Sequence, residues 1–460
     1  MAETITTIDP TNGKDLQSYI AMTEAEVSVV LDRAAEAQVA WAALDIKERS
    51  AALVRVAATL RERSGELAEL ATSEMGKPLA ESLVEVEKCA WVCEYYAELS
   101  PSVLADEIVE ASGSRSWITY EPLGVVLAIM PWNYPYWQVL RFAAPALVSG
   151  NAAVLKHSPN VTGCALAVQD IFIEADLPRG LFATIVVAEP DVPATVDRLI
   201  ADRRIAAVSL TGSNRAGEAV GASAGRASKK SVLELGGSDP FVILADADLD
   251  AVIPKAVAGR FHNAGQSCLS AKRFIVHESI ADEFGRRFAE AAQALVVGDP
   301  TNSATNVGPL ARADLAEELE RQVTSSVQAG ARILTGGKRL DRGPAWFAPT
   351  VLVDVTLDMP VMSQEIFGPA APVISFADDD EAVRVANATQ FGLAASVWSS
   401  DEAHALRVGT KISSGALFIN AVVASDPILP FGGVKQSGYG RELGEAGAKE
   451  FTNIRTVLVG

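Results

Sequence analysis

Apolar residues along the chain follow two rhythms, and the change falls just beyond residue 100. Over 24–100 they return every three or four positions, as in Val27, Val30, Leu31, Ala34 and Ala37 and again in Leu53, Val56, Ala57 and Leu60. That period predicts helices with one buried face. At 115–121 the pattern becomes alternation, Arg-Ser-Trp-Ile-Thr-Tyr-Glu, which predicts a strand or hairpin outside the helical block.

Short apolar runs follow at 125–130, 151–156, 182–188 and 205–210, separated by helical patterns. Runs apolar on both faces predict a buried parallel sheet with helical crossovers. Ligands bind such sheets beyond the carboxyl ends of the strands. A second series lies at 241–244, 273–277, 351–353, 372–376, 394–398 and 416–419, with helical patterns at 248–262, 279–296, 311–330 and 401–411. It predicts a second α/β unit, and 451–459 reads as a final strand.

Composition narrows the function more than the fold. At 460 residues the chain exceeds one ordinary core, and 49% hydrophobic against 21% charged residues excludes bulk disorder. A net charge of -19 repels nucleic acid and anionic lipid, so any anionic substrate must be held by local positive charges. The most apolar stretch, 125–137, is broken by Pro131 and Pro135 and is no membrane span. No basic segment followed by an apolar one opens the chain. Cysteines at 89, 93, 164 and 268 form no disulfide framework, and the four histidines are too scattered for a zinc site. A reduced, cytoplasmic enzyme without a metal is the expectation.

Six segments carry candidate chemistry, each with a plainer alternative. Cys268 follows Gly265-Gln-Ser in a turn after a helical face and is either a nucleophile or inert; as a nucleophile it needs a site that lowers its thiol pKa. Glu234, in Leu-Glu-Leu-Gly-Gly at 233–237, is either a buried base or a solvated strand-end carboxylate, and the two glycines allow close backbone approach. Asn133, between Pro131 and Pro135, is a rigid amide donor for an oxyanion or part of a proline-rich turn. Gly212-Ser213 opens a helical pattern and can offer free amides to a phosphate. Lys156 ends a strand, where it binds a cofactor or merely meets solvent; Glu365-Ile-Phe367 lies on a turn. The dinucleotide fingerprint G-x-G-x-x-G is absent. Its nearest match, Gly438-Tyr-Gly440-Arg-Glu-Leu-Gly444, has the wrong last spacing and reads as a glycine-rich surface loop.

In this order and spacing the motifs resemble the aldehyde dehydrogenase superfamily over essentially the whole chain. The markers are Pro-Trp-Asn at 131–133, Leu-Glu-Leu-Gly-Gly at 233–237, Gly-Gln-Ser-Cys at 265–268, Glu-Ile-Phe-Gly-Pro at 365–369 and the segment 430–438, with Glu234 lying 34 residues before Cys268. The resemblance implies an α/β fold with a Rossmann-like cofactor domain (1–106 and 125–234, with 435–448), a catalytic domain (235–434) and small β oligomerisation elements (107–124 and 449–460). It implies that Cys268 attacks the aldehyde, Asn133 and the Cys268 amide hold the oxyanion, and Glu234 activates the hydrolytic water. Trp132, Asn133, Lys156, His157, Ser158, Pro159, Gly212, Ser213, Leu235, Glu365 and Phe367 are then the expected cofactor residues.

Members that prefer NAD usually carry a glutamate three residues after the lysine; here that position is Pro159. NADP is therefore expected to serve as well as NAD or better, with Lys156 and Ser158 at its 2′-phosphate. The dehydrogenases of succinate semialdehyde are similar at Arg141 and Ser425, which in that group grip the distal carboxylate. His262 stands where many of them carry a second arginine, so its charge is conditional. Ser270 replaces the second cysteine of members with a redox switch, so none is expected. Another short or carboxylate-bearing aldehyde is the alternative substrate; a CoA-acylating enzyme and a non-catalytic scaffold are the alternative functions, both disfavoured by the Cys268, Glu234 and Asn133 set. A homodimer or homotetramer is expected, since a strand edge outside the core needs a partner.

Overall fold

The helical N-terminal block forms because each helix has an apolar stripe, and several have local start or stop signals. In the computed structural model, which describes residues 3–460, its helices are Glu24–Ala42, Ile46–Glu62, Ser64–Met75 and Leu79–Val103. The first two open on capping boxes, Thr23 with Glu26 and Asp45 with Glu48, which satisfy the free amides of their first turns. The third stops at Gly76, whose left-handed conformation turns the chain into Lys77-Pro78.

The first series of apolar runs becomes a six-stranded sheet. Its spatial order is Gly438–Tyr439, Lys230–Glu234, Ile205–Thr211, Val125–Met130, Ala152–His157 and Phe182–Ile185, parallel except at the two-residue edge. Val125–Met130 and Ala152–His157 are buried at every position, the first apolar throughout and the second ending in Lys156 and His157. Along one edge lie the strand ends that carry the motifs: Met130, His157, Thr211 and Glu234. The helix Trp137–Val148 is also buried throughout, so Arg141 lies in the interior and not on a helix surface.

Gly438 is no part of a surface loop. It pairs with Glu234, and Leu235 N donates to Ser437 O at 3.0 Å. Its φ of 114° and the collision that a Cβ would make with the Leu233 carbonyl show why glycine is needed. The expectation failed because a two-residue strand has no periodicity to read.

The second series forms a seven-stranded sheet in the order Arg332–Thr335, Thr350–Val353, Ala370–Phe376, Ala271–His277, Asp239–Ile243, Ala394–Trp398 and Ala416–Ile419, parallel except for the first strand. The alternating segment and the tail meet in an antiparallel ribbon, Arg115–Pro122 against Thr452–Val459, with Glu107–Ile108 on its other side. An N-terminal hairpin, Thr4–Asp9 with Lys14–Ile20, has no counterpart in the sequence reading. Among the described residues no helix is long and apolar enough to cross a membrane.

Candidate active site

The loop that carries Cys268 is wound against the usual hand. After the helix Leu249–Phe261, residues Asn263, Ala264 and Gly265 have φ of 51°, 52° and 73°. Left-handed geometry costs a non-glycine residue about 1–2 kcal/mol, so neighbouring contacts must hold the turn. They do so through two amides. Asn263 Nδ2 donates to Asn133 O at 2.8 Å and to Gln266 O at 3.3 Å. Gln266 Nε2 donates to Asn263 O at 3.1 Å, while its Oε1 accepts from Ala311 N at 2.9 Å. At Gly265 a Cβ would strike the Gly368 carbonyl.

The same network fixes Asn133. Its Nδ2 donates to Gln266 O at 3.0 Å, and a primary amide keeps a second N–H for a ligand. The turn around it is braced from the 79–103 helix by Glu85, which accepts from Tyr136 N and Trp137 N at 2.8 Å each and pairs with buried Lys77.

Asn133, Glu234 and Cys268 line one pocket of about 290 Å³. Glu234 is buried and neither carboxylate oxygen has a hydrogen-bond partner. Burial raises its pKa well above the ordinary carboxyl value; nearby Glu442 adds to this, and Arg141 and Arg441 oppose it. Cys268 is the one cysteine of the four that is not buried outright. Its thiol is not lowered as expected: desolvation pushes it up to about 11, against the pull of Arg141 and Lys272. The chain's own charges only partly offset that desolvation.

The same pocket takes in Trp132, Gly212, Ser213, Leu235, Glu365 and Phe367. Ser213 caps the helix Asn214–Arg226 by accepting from Ala216 N at 3.3 Å. Glu365 is held by Lys272 Nζ at 2.6 Å and by Gly237 N at 3.1 Å, and a Cβ at Gly236 would strike it. Phe367 packs edge-on against Trp132, ring centroids 5.6 Å apart. Pro159 lines an adjoining cavity of about 540 Å³, and Arg312 lines both. Lys156 is buried at its strand end, and desolvation lowers its pKa to about 8. His157 is turned inward: Nε2 lies 2.9 Å from Pro135 O, and Nδ1 accepts from Ser158 N. Ser158 Oγ donates to Asn160 Oδ1 at 2.7 Å.

Of the three residues expected at the substrate's far end, Arg141 is ion-paired with Glu442 and its Nη2 donates to Thr211 Oγ1 at 3.1 Å. Ser425 Oγ is 2.8 Å from Lys88 Nζ. His262 Nδ1 lies 3.1 Å from Tyr134 Oη and 3.6 Å from Glu81. Desolvation, with the nearby cations Lys77 and Lys88, lowers its pKa, which favours the neutral ring.

The profile of the aldehyde dehydrogenase family matches residues 1–457. The chain belongs to the aldehyde dehydrogenase family. A probable succinate-semialdehyde dehydrogenase of the NADP(+) type from Synechocystis sp. is 46% identical over 455 residues, covering 99% of each chain. Succinate-semialdehyde dehydrogenase 1 of the NADP(+) type from Mycobacterium tuberculosis is 46% identical over 459 residues, again 99% of each. Among solved structures, the Streptococcus pyogenes succinic semialdehyde dehydrogenase in complex with NADP(+) superimposes with a TM-score of 0.95 at 36% identity, covering 99% of both chains.

Within this family member the sequence reading missed the residues that hold the site together. Asn263 and Gln266 stood in the cysteine motif without a role. Lys272 had a slight signal, standing at the start of its strand just before the run at 273–277. Glu442 and Lys88 had none, because their neighbours are distant in sequence.

Proposed function

We propose that this protein oxidises succinate semialdehyde to succinate, with NADP(+) as preferred acceptor and NAD(+) as the alternative. The observation that carries the chemistry is the convergence of Cys268, Asn133 and a Glu234 with two free carboxylate oxygens on one pocket. The residues suit a dinucleotide. Gly236 leaves backbone room beside Glu365, the 214–226 helix starts at the pocket, and Lys156 brings a cation to the adjoining strand end. Pro159 in place of an acid removes repulsion of a 2′-phosphate, and the NADP(+)-type relatives agree with that preference.

In this reading the Cys268 thiolate adds to the aldehyde carbon, favoured by the charges of Arg141 and Lys272. The free N–H of Asn133 and the Cys268 amide stabilise the oxyanion. The bound nicotinamide supplies the hydride acceptor. Glu234 then takes a proton from the water that cleaves the thioester, releasing succinate and the thiol. Arg141 and Ser425 bind the distal carboxylate, with neutral His262 contributing no charge. The exposed apolar residues Ile108, Ile454 and Leu458 on the ribbon support a homodimer, or a tetramer of two such dimers; a single-chain mass by light scattering would contradict this.

The test is a kcat/KM panel of succinate semialdehyde, glutarate semialdehyde and butanal with each dinucleotide. Succinate semialdehyde with NADP(+) is expected to lead. Equal values for butanal would overturn the substrate, and equal or better turnover with NAD(+) at low concentration would overturn the cofactor preference.

A further inference from the structure

The 79–103 helix presents Glu81, Glu85 and Lys88 on one face, at helical spacing, toward the turn that carries Asn133. Glu81 accepts from Asn263 N, and Glu85 is engaged by two backbone amides and Lys77. Lys88 is different. Its Nζ meets Ser425 Oγ at 2.8 Å and lies 4.2 Å from the centre of the Trp137 ring, but no carboxylate lies within ion-pair distance among the described residues. Close by stands Arg141, close enough for the two positive charges to oppose each other, and its counter-ion is Glu442.

Of the nearby carboxylates, Glu442 is paired with Arg141 and Glu85 with Lys77, and Asp426 lies outside ion-pair distance of Lys88. A largely desolvated ammonium without a carboxylate is costly unless a ligand supplies the missing negative charge. A serine hydroxyl and an aromatic face stabilise it only in part.

We infer that Lys88 is a substrate-specificity residue: its ammonium supplies, beside Arg141 and Ser425, the second cation that binds the distal carboxylate of the semialdehyde. The inference rests on the proposed succinate semialdehyde activity. It also accounts for His262, because a second cation reaches the site from the 79–103 helix where the cysteine loop provides a ring held neutral. The lowered Lys88 pKa, about 8, reflects desolvation first and Arg141 second, and a bound carboxylate relieves both.

Lys88→Met, Lys88→Gln and Lys88→Arg enzymes, each checked by thermal melting, are assayed with succinate semialdehyde and with butanal, an uncharged aldehyde of equal length. Loss of one charge-assisted contact predicts that the ratio of kcat/KM values, semialdehyde over butanal, falls about 10-fold or more in the Met and Gln variants, chiefly through KM. Lys88→Arg restores most of it. A ratio within about twofold of wild type in a folded Met or Gln variant overturns the inference and leaves the activity standing. A wild-type enzyme with no preference for the semialdehyde overturns both.

Discussion

Arg141 Nε lies 2.5 Å from Glu442 Oε2, with the two side chains only 2% and 3% exposed. The pair lies close enough to Glu234 that this carboxyl's pKa feels both members, in opposite directions. It fixes Arg141 from one side, and Thr211 Oγ1 holds the guanidinium from another.

Glu442→Gln separates these effects. It leaves Arg141 charged and uncompensated, and breaking a buried pair costs about 3–5 kcal/mol, visible as a lower Tm. It also removes the neighbour that raises Glu234 and frees the cation that lowers it. Glu234 then stays ionised to lower pH, so the acid limb of the kcat profile moves down. An acid limb that stays put or moves up would contradict this coupling.

Lys88 gives a second pH dependence. The charged groups around it are Glu85 on its own helix, Arg141 on the 137–148 helix and Asp426 on the Ser425 loop, with Cys89 beside it held neutral by burial. A lysine lowered to about 8 loses its charge as pH rises through that value. The semialdehyde-to-butanal ratio of kcat/KM should therefore fall above pH 8 in wild type and stay flat in Lys88→Arg. Parallel profiles would show that Lys88 does not set charge selectivity.

Asn263→Ala tests the positioning of Asn133. The change removes one of the two hydrogen bonds between Asn133 and the cysteine turn, together with the Asn263–Gln266 bond inside that turn, and leaves an alanine at φ 51°. Displacement of a catalytic group by an ångström can cost about 100-fold, so kcat should fall well beyond any change in KM. A loss confined to KM would assign Asn263 to binding instead.

Much of the fold was legible because buried strands and one-sided helices leave periods in the sequence: 125–130, 394–398 and 416–419 lie where their apolar runs place them. The N-terminal hairpin escaped because its second strand, Lys14–Ile20, is mostly exposed and polar. Its Asn12-Gly13 turn was the available signal. In the site, Cys268, Glu234 and Asn133 were readable as motif residues. Glu442 lies hundreds of positions from Arg141 and Glu234, as Lys88 does from Ser425, and a single sequence carries no trace of that proximity. Glu234 was recognisable as a candidate base, but its tuning by Glu442 and Arg141 was not.

The central claim is that Cys268 forms a thioester that Glu234 resolves through water, and Glu234→Gln tests it most directly. The variant is mixed rapidly with excess succinate semialdehyde and NADP(+), and NADPH formation is followed alongside the intact mass of the protein. A burst of about one NADPH per active site, a succinyl adduct on Cys268 and very slow turnover afterwards are predicted. Turnover at the wild-type rate without an adduct would contradict the account.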